Sequence, residues 1–236
     1  MNSRPEIDVT FDFRSDTPPR KDPDARSPTL RGYHRRLWSK ALPSGPVFEL
    51  SQTTPGVYLH HRSGVGEFFL SSDSVIPTFL RRARLAHITE QLSRGERDEF
   101  DRVSYTMGGM MIFPGNCVDR HMTINGARGC HPRIQDRFDL TLECIRRHYR
   151  GEHSPLSDTL ARYSDFFALF GDFRGYVEFF LLQDLVTADY AAVRFSLPFA
   201  DFGTSPLPGS LDAYRSYRDN AVDFIEARKC RILARC

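Results

Sequence analysis

Residues 175–186, GYVEFFLLQDLV, are apolar around almost the whole helical circumference. A chain that contains them must supply a core deep enough to cover a segment from every side. Asp172 stands where a helix N-cap would, so the pattern predicts a central buried helix from about Phe173 to Leu185. Phe166, Phe167 and Phe170 lead into it and continue with Phe173, Tyr176, Phe179 and Phe180 at helical spacing, with few basic neighbours. That combination predicts core, or a helix–helix or dimer interface, rather than a platform for stacking bases. The 236 residues are 40% hydrophobic and 26% charged, enough to build such a core. No apolar run approaches the roughly 18 residues that a membrane span needs. The start MNSRPEIDVTFDF lacks the basic and apolar stretches of a secretory leader. The expectation is a cytoplasmic protein with no membrane partner.

Around that helix the periodicities outline an α+β fold: one domain, a small antiparallel sheet packed on a helical bundle, and an extended N-terminal arm. The arm covers residues 1–46, where seven prolines fall among Asp, Arg and Ser. Leu30, Tyr33, Leu37 and Trp38 sit at near-helical spacing after Ser27, which predicts a docking turn or two on the 47–236 body through the only Trp. VFELS, GVYLHH and EFFLS, between residues 47 and 71, predict a three-stranded meander. Residues 76–103 suit one or two helices, and YTMGGMMIFPG reads as a glycine-softened strand ending at Pro114. A polar loop over 115–132 precedes a helix from about Ile134 to Tyr149, stopped by Gly151. Ser154 and Pro155 predict the cap and first turn of a helix running to Phe170. VRFSLPF, at 193–199, reads as a strand, and Ser210 caps a last helix to about Leu233.

Net charge is +2, from 32 basic against 30 acidic residues, too little for a surface given over to nucleic acid. The charge is polarised along the chain. Residues 114–150 hold seven Arg against four acids, and residues 151–213 three Arg against nine acids. Basic residues are Arg except for Lys21, Lys40 and Lys229. Arg offers a planar fork for phosphate and carboxylate, although a GC-rich genome yields the same bias. The five cysteines, Cys117, Cys130, Cys144, Cys230 and Cys236, form no CxxC pair and indicate neither a zinc ribbon nor a disulfide scaffold.

The stretch that most invites a functional reading runs from Phe113 to Tyr149, where a glycine-rich loop enters a helix. Backbone N–H groups in the Asn125-Gly126 and Arg128-Gly129 turns, with Arg120, Arg133 and Arg137 nearby, are of the kind that cradles an anion at a helix N-terminus. Arg120, Asn125, Arg128, Arg133 and Arg137 are therefore the candidate ligand-binding residues. The same residues also read structurally: Asn-Gly makes a tight turn, and Asp136, Arg137, Asp139 and Glu143 pair along the helix. Asp136 and Glu143, seven apart, are the candidate catalytic carboxylates. Neither GxGxxG nor GxxxxGK[ST] occurs, so no cofactor is assigned. His60 and His61 point to opposite faces of a strand, and Asp119, His121 and His131 lack the spacing of a zinc motif, so no metal is assigned. Cys130 beside His131 suggests a nucleophile only weakly, because sequence neighbours are seldom partners in space.

The strings FDFRSDTPPRKDPDARSPTLRGYHRRLWSK, TINGARG, DRFDLTLECIRRHY, SPLSDTLARYSDFF and GYVEFFLLQDLV resemble a family of uncharacterised bacterial proteins that carry a domain of unknown function. The resemblance runs from Phe11 to about Arg231. It implies a bacterial, cytoplasmic, single-domain protein and brings no activity, cofactor or catalytic residue with it. Three classes of function follow from the residues. The first is a ligand-binding or regulatory module for a phosphate- or carboxylate-bearing partner. The second is an enzyme acting on nucleotide or nucleic acid through an Arg/carboxylate site, and the third an interaction protein that forms a homo-oligomer.

Overall fold

The computed structural model describes residues 7–235, so Cys236 lies outside it. The arm forms α1 (Pro23–Arg26) and α2 (Pro28–Trp38), and the hairpin β1 (Leu59–Ser63) and β2 (Gly66–Ser74) follows. After α3 (Ala86–Thr89) and α4 (Arg94–Ser104) the chain returns to the sheet as β3 (Met110–Pro114). It then runs through α5 (Ile124–Cys130), α6 (Phe138–Tyr149), α7 (Ser157–Ala161), α8 (Ser164–Ala168) and α9 (Phe173–Phe179) to the long α10 (Leu211–Leu233). This is an α+β fold with one continuous core. Among the described residues no helix is long and apolar enough to cross a membrane.

Asp172 does cap α9, accepting from the Gly175 N–H at 2.7 Å, but the helix ends after two turns instead of reaching Leu185. Leu181 adopts φ 57° and residues 183–185 form a 3-10 turn. The segment is buried as its composition predicts, but it is helical only as far as Phe179. Tyr176, Val177, Phe180, Leu181 and Leu182 are all buried. The carbonyl of Phe180 is freed where the helix breaks, and it accepts from Arg228 of α10 through Nε at 3.3 Å and Nη2 at 3.0 Å. The same guanidinium serves the carbonyls of Gly108 and Met110. A buried Arg thus supplies the donors that a longer helix would have supplied itself.

The sheet order is β1-β2-β3, antiparallel throughout, with Leu59 opposite Leu70 and Ser72 opposite Ile112. Two expected strands are absent. VFELS makes only isolated bridges, Ala41 to Val47 and Ser51 to His60, because Phe48 and Leu50 turn into the core while β3, buried at all five positions, pairs with β2. VRFSLPF bridges only at Val193, since Pro198 has no N–H and Phe195 stacks on Phe199. Three helix boundaries also differ. The loop expected over 115–132 contains α5; α6 starts at Phe138 because Gln135 and Asp136 have positive φ; and Ser154 gives its N–H to Ser157 Oγ rather than capping a helix, so α7 begins after Leu156.

The arm is part of the core. Ile7, Val9, Phe13, Leu30, Leu37, Trp38 and Leu42 are buried, and Ser27 caps α2 by accepting from the Leu30 N–H at 3.1 Å. Trp38 packs edge-on against Phe180 with ring centroids 5.3 Å apart. Its indole N–H donates to His34 Nδ1 at 3.0 Å, which leaves the His34 proton on Nε2 to be donated to Ser72 Oγ at 2.9 Å. Burial, aided by the charge of Arg228, pushes the His34 pKa down to about 3, so this chain from arm to sheet is neutral.

Candidate functional site

The residues expected to form an anion cradle do not converge. In α5, capped by Thr123 Oγ1, the N–H groups around Gly126 and Gly129 belong to the helix and its cap. Arg128 is fully buried. Its guanidinium pairs with Asp73 and, at 2.7 Å, with Asp136, and it also donates to the carbonyls of Val75 and Asp136. Arg137 is buried against Asp139 and gives Nη1 to the Pro206 carbonyl at 3.1 Å. The Asn125 amide holds β2, donating to Ser71 Oγ at 3.2 Å and to the Ser72 carbonyl at 3.3 Å. Glu143 is taken by Arg146 and Arg147. Arg120 and Arg133 are exposed. The correction has one physical cause: a buried guanidinium must spend its donors on carboxylates and carbonyls, and those of Arg128 and Arg137 are spent.

Asp136 leads to a different place. It lines a cleft of about 680 Å³ between the arm and the end of the sheet, together with Arg14, Arg20, Lys21, Asp22, Asp24, Asp73, Arg81 and Tyr105. Prolines 18, 19 and 23 shape the arm wall, and Arg20 sits in the left-handed region at φ 63°. Asp22 caps α1 by accepting from the Asp24 N–H at 3.1 Å. Arg14 is held by Asp12 and Asp101. Arg20, Lys21 and Arg81 are exposed, and among the described residues no carboxylate lies within ion-pair distance of them.

The floor has unusual electrostatics. Asp24 Oδ2 accepts from the Ser74 N–H at 2.7 Å, whereas Oδ1 is covered and has no hydrogen-bond partner. Burial, then the charge of Asp73, raises the Asp24 pKa to about 8. Burial likewise raises Asp73 to about 7, against the pull of Arg128 and with a further push from Asp136. Burial thus pushes both carboxyls towards their neutral forms, Asp73 with the Arg128 guanidinium against it and Asp24 without a counter-charge. Among the described residues no three His, Cys, Asp or Glu side chains converge as the ligands of a metal ion would. The arrangement is a floor of buried carboxyls pushed towards their neutral forms, under a rim of three exposed cations that make no ion pair among the described residues.

A second cleft, of about 610 Å³, is lined by His131, Arg133, Arg147, His153, Asp158 and Asp201. Arg133 is the one expected ligand-binding residue on its wall. Arg147 is already committed to Glu143 and to the His153 carbonyl, so this cleft has fewer free donors. Exposed Cys130 and half-buried His131 form no nucleophile pair: His131 Nδ1 accepts from the Arg133 N–H.

Sequence reading missed the first cleft because its carboxylates come from three distant segments. The one local signal was Asp22-Pro-Asp24, charged residues between prolines in a tract that otherwise reads as linker. No curated protein and no solved structure matches the chain. A family model described as a family of unknown function (DUF6994) matches residues 7–232, which take in both clefts and all but the ends of the chain, and the protein belongs to that family.

Proposed function

We propose that this protein binds a small molecule carrying a phosphate or carboxylate, in the cleft between the arm and the end of the sheet. The observation that carries the reading is the set of three exposed cations, Arg20, Lys21 and Arg81, on the rim of the cleft, with no carboxylate among the described residues within ion-pair distance of them. An anionic group there gains charge-assisted hydrogen bonds at little desolvation cost. Deeper in, Ser74, Tyr105 and the Asp24 carboxyl suit hydroxyl or amine groups of the same ligand. A bipolar molecule such as a sugar phosphate or a nucleotide fits that sequence of polarities. The bacterial cytoplasm is the compartment we assign, supported by the free thiols of Cys117, Cys130, Cys144 and Cys230.

The test is a thermal-shift screen of nucleotides and sugar phosphates, followed by calorimetry of each hit against Arg81→Ala and Lys21→Ala. A ligand at one hundred times its Kd stabilises the fold by about 2.7 kcal/mol. Each rim substitution should then weaken binding by about 1.5–3 kcal/mol without lowering the melting temperature of the free protein. Hits that bind both variants as tightly as the wild type would remove the cleft as the site.

A further inference from the structure

We infer that a third cleft, between α2 and residues 47–50, binds a free amino acid with a large apolar side chain. The inference does not depend on the rim reading above.

The walls follow from two local periods. On α2, Thr29, Gly32, Tyr33 and Arg36 lie three or four residues apart and so share one face, which lines the cleft. Opposite it burial alternates along the chain: Phe48 and Leu50 turn into the core, and Val47 and Glu49 turn outward. Ser39 Oγ accepts from the Leu50 N–H at 2.9 Å, and the Phe48 N–H donates to the Lys40 carbonyl at 2.9 Å, so the two walls are tied to each other. The cleft measures about 780 Å³, within the range of small-molecule sites. Val47 on its wall keeps 54% of its surface exposed, and a Cβ added at Gly32 would meet no atom within 4 Å. With Tyr33 and Leu50 these residues give an apolar lining with room over it.

The charges on the same walls are unspent. Among the described residues Arg35, Arg36 and Glu49 make no ion pair and no side-chain hydrogen bond. Of the Arg36 nitrogens only Nη1 is covered, which leaves Nε and Nη2 with accessible surface. That edge of a guanidinium holds a carboxylate through two parallel hydrogen bonds, as Arg146 holds Glu143 through Nε at 2.8 Å and Nη2 at 2.9 Å. A carboxylate is therefore the group that Arg36 selects. Glu49 repels a plain carboxylic acid and attracts an ammonium group, and neither arginine neutralises it. The Tyr33 hydroxyl accepts from the Asp8 N–H at 3.0 Å and keeps its own proton to donate. A free cation, a free anion and an apolar lining in one cleft match the carboxylate, the ammonium and the side chain of an amino acid. A peptide terminus offers only one of the two charges.

Amide chemical-shift titration of the full chain tests this. Phenylalanine and leucine are the probes, each beside the analogue that lacks its amine and the analogue that lacks its carboxylate. The amino acid should give saturable shifts at Gly32, Tyr33, Arg36 and Leu50. Either analogue should bind about 10-fold or more weakly, and so should the amino acid to Arg36→Met or to Glu49→Gln. Gly32→Leu fills the space over α2 and should abolish binding, while the free variant melts no lower than wild type because leucine is the better helix former. An analogue with one charge that binds as tightly as the amino acid overturns the assignment, as does undiminished binding by Gly32→Leu. The absence of saturable shifts at these residues with both amino acids also overturns it, whatever the rim cleft binds.

Discussion

Replacing Arg128 by Ala separates a structural guanidinium from a ligand-binding one. The side chain is fully buried and satisfies Asp73, Asp136 and the carbonyls of Val75 and Asp136. Its removal leaves Asp73 and Asp136 facing each other with no counter-charge, and a broken buried pair typically costs about 3–5 kcal/mol. For a chain of this length each kcal/mol moves the melting temperature by about 2–4 °C, so a drop of about 6–20 °C is expected at pH 7. The loss should shrink on acidification. Burial already pushes the Asp73 pKa up to about 7, against the pull of Arg128, and without Arg128 its neutral form is favoured further. A carboxyl raised in the folded state contributes most below its unfolded pKa of about 3.9, and that contribution falls as pH rises towards the folded value. Urea unfolding of wild type and variant at pH 4.5 and pH 7.5 measures both effects. A variant within about 1 kcal/mol of wild type at pH 7.5, or a deficit that does not shrink at pH 4.5, would refute the assignment of Arg128 as the charge that holds the floor together.

Asp24→Asn keeps an acceptor for the Ser74 N–H and removes an acid whose pKa is raised to about 8, so its stability relative to wild type should grow as pH rises from 4 to 8; equal pH profiles would show that Asp24 is ionised in the fold. Phe180→Ala should cost about 3–5 kcal/mol by chemical denaturation, since the side chain is fully buried between Trp38, Phe170 and Tyr176; a loss under about 1 kcal/mol would mean that the break after α9 is not the centre of the core. Trp38 should emit at blue-shifted wavelengths and resist aqueous quenchers in the native state; emission like that of free tryptophan would mean that the arm is not docked.

The elements that were legible in the sequence share a cap and a period. Ser27 with Leu30, Leu37 and Trp38 marks α2, and Ser210 marks α10, because an N-cap side chain and an apolar stripe are both local signals. The segment after Asp172 announced its burial but not its length. Where every face is apolar no period is left to say when a helix must stop, and the stop came from Arg228, 48 residues away in sequence. The site was less legible for the same reason. The arginines of 120–137 are conspicuous, yet what occupies Arg128 is Asp73, 55 residues back on a strand. Asp24, Asp73 and Asp136 come to line one cleft only once the arm is laid against the end of β2, and no spacing rule joins three residues on three segments.

The most direct measurement of the central claim is amide chemical-shift mapping of the full chain with inorganic sulfate, a probe that does not itself titrate near neutral pH. The account predicts saturable shifts at Arg20, Lys21, Ser74 and Arg81, lost in Arg81→Ala. Shifts confined instead to His131, Arg133 and His153, or no saturable shift anywhere, would contradict it.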